Sequence, residues 1–556
     1  MLRISVLAVL LVQILPAQST KLLDILGEEL DRNFKALKEK GDPPPYFLAY
    51  AVSEQESGSA TAAQGALMAS NERKSRTLDV TIRVGSPKMD NYHPVRGEFA
   101  QFTEGVPLSL DDSPDAIKRT LWRETDRCYK LAAQRLINIK TNTDVKVAMK
   151  EQSDDFSEAK VSSATENPPK QDFDLGDWEK RVRKLSGMLA NRPGLLSSSV
   201  TAMGSREVKY FVSSEGARLM HGRPMSRVML SASAKADDGM DLSTFDSFDS
   251  NNARKLPKDD QLKTAFEKIG TDVDALRSAP VVEAYVGPAI LSGRAAGVFF
   301  HEIFGHRVEG HRLKDETDGQ TFAKSVGSKV LPEFLSVIFD PTLKSAAGQD
   351  LNGWFQYDDE GVSARRVAVV EKGILKTFLM SRTPIPDLPS SNGHGRRQAG
   401  AEVVSRQSNL IVEASQTVTE KKLKEMLIEE LKRQNKPYGY YFQEITGGFT
   451  NTGRRGIQAF KVIPLVVYRI HLDGKEELVR GADIVGTPLS SFAKIIAAGD
   501  KLEVFNGFCG AESGSVPVSA IAPAILVSEL EIQKKDSSRD RPPILPAPSA
   551  TGGGAE

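Results

Sequence analysis

Three of the chain's seven histidines fall within eleven residues, in the segment HEIFGHRVEGHR from His301 to Arg312. A neutral imidazole is a good zinc ligand, and a carboxylate beside a bound metal can take a proton from water. His301, Glu302 and His306 supply these groups. In the HExxH arrangement the two histidines stand four apart and share one helix face. Here they stand five apart. At about 100° per residue, a four-residue step turns by about 40° and a five-residue step by about 140°. Two imidazoles so placed converge on one ion only where the backbone leaves α geometry between them. A π-type turn would achieve this, and so would a helix ending at Gly305, a residue that tolerates unusual dihedrals. The bland alternative is a helix end with surface histidines.

A third ligand must come from elsewhere. Glu309 and His311 are near in sequence. Cys509, in NGFCGAESGSVP, is the other candidate, a thiolate donor with glycines at 507 and 510 that let backbone approach a metal. The remaining cysteine, Cys128, sits in a predicted helix beside Leu121 and Trp122 and reads as a core residue. A Cys128–Cys509 disulfide stays open if the protein is exported. Ser491-Phe492-Ala493-Lys494 fits the SxxK pattern of serine acyl enzymes, but no SDN or KTG element accompanies it.

The elements that must hold these groups can be read from periodicity. A helix near 258–277 and a strand near Val281–Val286 open the second half. Gly287-Pro288 then reads as a helix start, with proline at its favoured first position. Ala289, Ser292, Gly293, Ala295, Ala296 and Gly297 give that helix a small-residue surface for close packing, and it runs into His301. Hairpins are expected at Glu371-Lys372-Gly373 and Asp473-Gly474. Tyr438, Tyr440 and Tyr441 read as strand packing in preference to a cavity lining.

In the first half, apolar spacing predicts helices over 21–40, from Ser113 to about Ile139, and around Trp178–Leu189. Alternation predicts strands at Tyr46–Val52 and Thr77–Val84, and short strands near 196–235. The segment 236–257, rich in Asp, Ser and Asn, reads as a loop between halves. The whole reads as an α+β protein of two lobes, 20–257 and 258–533, the second largely antiparallel β with flanking helices. Residues 534–556 read as a disordered tail.

Composition narrows the function. The 73 basic and 73 acidic side chains give a formal net charge of zero, which argues against nucleic-acid binding by bulk electrostatics. Two cysteines exclude a disulfide-rich scaffold and any cysteine-only metal cluster. At the N-terminus Arg3 precedes an apolar run from Ile4 to Leu15 and then Pro16, Ala17, Gln18 and Ser19. This matches a secretory leader over 1–19, so a periplasmic or secreted protein is expected, with no membrane anchor after cleavage.

HEIFGHRVEG resembles the HExxxHxxEG motif of the TldD/PmbA family of metallopeptidases. Further segments resemble its TldD-type members in the family's order: YDDEG at 357–361, EKGILK at 371–376, GHGRR at 393–397, ITGGFT at 445–450, VRGADIVG at 479–486 and FCGAESGSVPV at 508–518. The resemblance covers most of 280–532. It implies a zinc-dependent peptidase of the catalytic type, with His301, His306 and Cys509 on the metal and Glu302 as general acid/base on water at the open metal position. It also implies a homodimer or a heterodimer with a PmbA-like subunit, and extended or unfolded peptides as substrates. His311, Arg396 and Arg397 are candidates for binding substrate. Two features depart from the family. His311 stands where the family usually has Asp, and the apparent leader contrasts with mostly cytoplasmic relatives. The alternative is an exported, non-catalytic binding or assembly subunit with a structural metal, which a fourth protein ligand from Glu309 or His311 would favour.

Overall fold

The structure is a computed structural model and describes residues 20–141, 153–315, 318, 320–453, 460–486, 491–535 and 541–545. The expected leader, and the expected tail apart from 534, 535 and 541–545, lie outside the described residues.

Two sheets organise the molecule. The first has eight strands built around two long hairpins. Pro45–Ala63 pairs with Ala66–Ser86, and Leu195–Ser213 with Arg218–Lys235, both antiparallel; Pro45–Ala63 and Leu195–Ser213 join the hairpins at the centre. Leu78, Val80, Ile82 and Val84 are buried as the alternation predicts, but Asp79 and Arg83 on the other face are buried too. Helices Lys21–Lys40 and Pro114–Thr141 bury Leu22, Leu26, Leu121 and Cys128 against Leu48, Tyr50 and Val80. Helices Leu175–Ser186 and Asp259–Ser278 bury Trp178, Val182, Leu262 and Phe266 against Val200, Val228 and Leu230. The helix near 258–277, grouped above with the second half, thus packs on the first sheet.

The first two strands of this sheet, of 19 and 21 residues, are more than twice as long as the sequence suggested, because their outer parts carry Ser, Thr and charged residues that hide the alternation. The expected loop 236–257 also contains a strand, Asp241–Ser250, paired with Arg218–Lys235. It is an outer strand. Only Leu242, Thr244 and Ser250 are buried, so its composition looks like that of a loop.

The second sheet has eleven strands. Its spine is the hairpin of Ile495–Ala511 and Gly514–Lys534. Along its length Gly514–Lys534 also pairs with Asn409–Ala414, Ala482–Gly486 and Tyr285–Leu291. Tyr438–Thr450 pairs with Phe460–His471. Pairing is mostly antiparallel, with parallel contacts of Asn409–Ala414 to the spine and of Tyr285–Leu291 to Tyr438–Thr450. Helix Glu420–Arg433 covers one face, burying Leu423, Leu427 and Leu431 against Ile290 and Leu526. Tyr438 stacks with Tyr285 and Tyr440 meets the same ring edge-on, the packing role expected of them.

Two boundaries depart from expectation. The strand expected near Val281–Val286 begins only at Tyr285. Residues 287–288 do not begin a helix. They lie in the strand Tyr285–Leu291, and the helix runs Gly293–Ile303 with Ser292 as its cap. Pro288 is tolerated because it falls at a register irregularity: Gly287 pairs with Leu530 and Ala289 with Val527. The small residues do permit close packing. A Cβ on residue 297 would lie 3.1 Å from Ala520 Cβ in the spine.

Candidate metal centre

The Ser292 hydroxyl accepts a hydrogen bond from Ala295 N at 3.1 Å and fixes the start of the Gly293–Ile303 helix. His301 and Glu302 lie in its last turn. The helix stops at Phe304 (φ −107°, ψ −51°), and Gly305–Val308 forms a 3₁₀ turn that carries His306. This is one of the departures from α geometry that the five-residue spacing allows. The glycine serves a different purpose from the one expected. Gly305 does not have a positive φ. Instead, a Cβ at that position would lie 1.9 Å from Oε1 of Gln407, whose amide nitrogen approaches His301 O at 3.3 Å.

Arg307 ties off the helix end. Its Nη1 donates to the carbonyls of Glu302 and Ile303, each at 3.1 Å, and to Thr450 Oγ1 at 2.8 Å. The helix C-terminus is thereby satisfied and joined to the end of the Tyr438–Thr450 strand. That strand passes directly over Glu302: a Cβ on residue 448 would be 2.7 Å from Glu302 Cγ.

The turn brings the His301 and His306 rings to a centroid separation of 5.1 Å at 82°. Cys509 arrives from the spine hairpin, opposite Val516. Its Sγ lies 3.4 Å from His306 Nε2, and one donor atom from each of His301, His306 and Cys509 falls within 4.8 Å of the others. Arg406 Nη2 donates to Cys509 O at 2.6 Å and holds the strand in place. In a tetrahedral zinc site, bonds of about 2.0–2.1 Å to nitrogen and 2.3 Å to sulfur put the donors about 3.5 Å apart. The three side chains fit such an ion.

Electrostatics agree with that donor set. Burial alone would raise the Cys509 thiol, but the imidazoles of His306 and His301 bring it well below its usual value. Burial is the main reason the Glu302 carboxyl is raised, with the two imidazoles opposing and Cys509 adding to the rise. Glu302 remains 7% exposed. It is a partly screened carboxyl next to the donors and is not one of them.

Glu309 and His311, the nearer candidates for a third ligand, are engaged elsewhere. Glu309 Oε2 sits 3.2 Å from His306 Nδ1 and accepts from Arg312 Nη2 at 2.7 Å, while Arg406 Nε stands 3.4 Å from Oε1. Burial would raise this carboxyl, but His306, Arg312 and Arg406 hold it far below the carboxylate range. His311 Nε2 pairs with Glu512, which also accepts from Arg312 at 3.2 Å. Cys128 is a free thiol in the other lobe's core, 3.5 Å from Phe102 O, so no disulfide joins it to Cys509.

Arg396 and Arg397 are buried and line a cavity between the lobes. They are not part of the donor cluster. Sequence reading missed Arg307, Arg406 and Gln407. Ser405, Arg406, Gln407, Ser408 and Asn409 are all fully buried, and a polar run of that kind gives no periodic signal of burial.

Residues 285–534 match the family described as PmbA/TldA metallopeptidase C-terminal domain. The chain is 28% identical over 262 residues to a metalloprotease of Methanocaldococcus jannaschii, covering 47% of this chain and 53% of that protein. It is 25% identical over 248 residues to a zinc metalloprotease TldD homolog of Saccharolobus solfataricus, covering 44% and 51% respectively. The matched region thus spans about half the length of each of these relatives. In fold the chain is similar to TldE from Thermococcus kodakarensis, with a TM-score of 0.60 at 15% identity, over 90% of this chain and 100% of that one.

Proposed function

We propose, from the premise that this chain belongs to the PmbA/TldD metallopeptidase family on its TldD-type side, that it is a zinc-dependent peptidase acting on extended or unfolded peptides. The observation that carries the reading is the convergence of His301, His306 and Cys509 beside Glu302. Those three residues would hold the ion. When bound, zinc supplies Lewis acidity to a carbonyl and lowers the pKa of water.

The chain's own residues do the rest. Glu302 takes the proton of the attacking water and returns it to the leaving nitrogen, a role suited to a carboxyl whose affinity for the proton burial has raised. Glu309 fixes the His306 ring so that Nε2 faces the thiolate. Gly448 and its strand roof Glu302 and limit access of bulk water.

Three protein donors with Glu309 and His311 otherwise paired favour an open, catalytic site over a closed structural one. The apparent leader supports export, and the likeness in fold to a TldE supports a two-subunit assembly, with a second copy or a TldE-like partner.

The deciding experiment combines metal analysis with a peptidase assay on an unstructured peptide, with and without chelator. One zinc per chain and chelator-sensitive hydrolysis are expected. Glu302→Gln should retain the metal and lose about two to four powers of ten in rate. Zinc held by four protein ligands without hydrolysis would instead establish the structural, non-catalytic reading.

A further inference from the structure

A cavity of about 340 Å³ lies between the lobes. One wall comes from the Leu195–Ser213 and Arg218–Lys235 strands. The other comes from residues 354–359 and 396–398 and from the hairpin that carries Cys509. Its size is that of a small-ligand site.

The cavity is unevenly charged. Five cations line it: Arg206, Lys209, Arg223, Arg396 and Arg397. Carboxylates answer four of them. Arg206 meets Glu56 at 2.7 Å, Lys209 meets Asp359 at 2.5 Å, and Arg397 lies 3.9 Å from Asp79. Arg223 meets Glu207 at 3.6 Å and donates to the Asn352 carbonyl at 2.9 Å.

Arg396 has no carboxylate partner among the described residues. It is 5% exposed, donates to the carbonyls of Gln407 at 2.5 Å and Pro517 at 2.9 Å, and lies over the Phe355 ring at 4.7 Å. Burial, and then the charge of Arg223, push its pKa down to about 9. A buried, unpaired guanidinium is costly, and an anion in the cavity would relieve it. Among the described residues the lining acid Asp358 makes no ion pair with Arg396. Its oxygens accept from the backbone nitrogens of Glu360, Val362 and Gly395, and burial together with Glu360 raises it well above the carboxylate range.

Part of the remaining lining is apolar. Trp354, Phe355 and Phe508 face the space together with Met203 and Met225. Phe508 is 46% exposed, although it is next to the buried Cys509. Val516, another lining residue, is the register partner of Cys509. An occupant would therefore touch the hairpin that presents the thiolate.

We propose that this cavity binds the C-terminal end of a short peptide, its carboxylate on Arg396 and Arg223 and an apolar terminal side chain against Trp354, Phe355 and Phe508. The peptide class rests on the peptidase reading; the anionic, apolar character of the site rests on the cavity alone. The test uses the full chain stripped of metal by chelator, so that binding is read without catalysis.

Acetyl-Ala-Phe with a free carboxylate, acetyl-Ala-Phe amide and inorganic phosphate are compared by titration calorimetry. The free acid should bind at least about tenfold tighter than the amide, as expected for a charge-assisted bidentate contact. Arg396→Gln and Arg223→Gln should each abolish that preference and leave amide binding unchanged; the second variant serves if the first does not fold. Equal binding of acid and amide, or a preference that survives both substitutions, overturns the proposal. Phosphate binding as tight as that of the peptide acid overturns the peptide assignment in favour of a general anion site. Failure of the chelator-sensitive peptidase assay leaves these binding results unaffected, so the two readings fail separately.

Discussion

Glu309 Oε2 stands 3.2 Å from His306 Nδ1, on the opposite side of the ring from Cys509, whose Sγ lies 3.4 Å from Nε2. One imidazole therefore spans a carboxylate and a thiolate, and both of its nitrogens are committed. Glu309 is itself clamped by Arg312 and Arg406, so the ring's orientation is set by groups on three separate segments.

Glu309→Gln tests this relationship. The amide keeps the shape but weakens the hold on Nδ1–H. Zinc affinity, measured by competition with a chromophoric chelator, should fall by about 10–100-fold, the usual cost of losing such an outer partner. Unchanged affinity would reduce Glu309 to a buried ion-pair partner of Arg312.

Cys509→Ser should release the metal much more readily than the wild type, because a hydroxyl is a poor zinc ligand. The substitution is nearly isosteric and Arg406 still holds the Cys509 carbonyl, so the melting temperature of the metal-free protein should barely change. Zinc retained as in the wild type would exclude Cys509 as a donor.

Gly305→Ala should destabilise the fold by about 1–3 kcal/mol, the usual range for overpacking a core, since the new methyl would sit 1.9 Å from Gln407 Oε1. A second substitution, Gln407→Ala, should recover part of the loss. A double-mutant cycle in urea checks this: zero coupling between the two sites would mean that the clash is relieved elsewhere.

His394 is fully buried beside Ser408 Oγ at 3.1 Å, and burial, with lesser contributions from Arg396 and Arg365, lowers its pKa to about 3. The folded protein keeps this imidazole neutral, while the unfolded chain takes up a proton near the ordinary value of about 6.5. The stability it contributes is therefore present above about pH 6.5 and is lost as pH falls towards 3, by up to about 1.4 kcal/mol per pH unit. Urea midpoints at pH 7.5 and 5 should differ more for the wild type than for His394→Gln. Equal differences would show that the imidazole is not held neutral.

The sequence carried the centre of the site but not its supports. Spacing alone required the backbone to leave α geometry between His301 and His306, and of the ways open to it the helix ends there. The reason Gly305 must be glycine was not legible, because Gln407 lies about a hundred residues away and approaches only through the tertiary fold. The Pro288 boundary was misplaced for a similar reason: proline at a helix start and proline at a strand irregularity look alike until the opposing strand is known. Ser292, three residues before Ala295, was the local signal for the true start. The strand Asp241–Ser250 was missed because only one of its edges is paired, and a polar outer strand shares its composition with a loop.

The hairpin that carries Cys509 gives the centre one more property. Cys509 and His306 are 203 residues apart in the chain. An ion held between them acts as a crosslink across most of the second lobe, closing a very long loop in the manner of a disulfide but reversibly. The lobe's resistance to unfolding then becomes a function of free metal, rising by about 2.7 kcal/mol when the ion is present at a hundred times its dissociation constant. Where metal supply varies, the same three side chains would serve as a durability sensor, making the chain's lifetime depend on whether it is loaded.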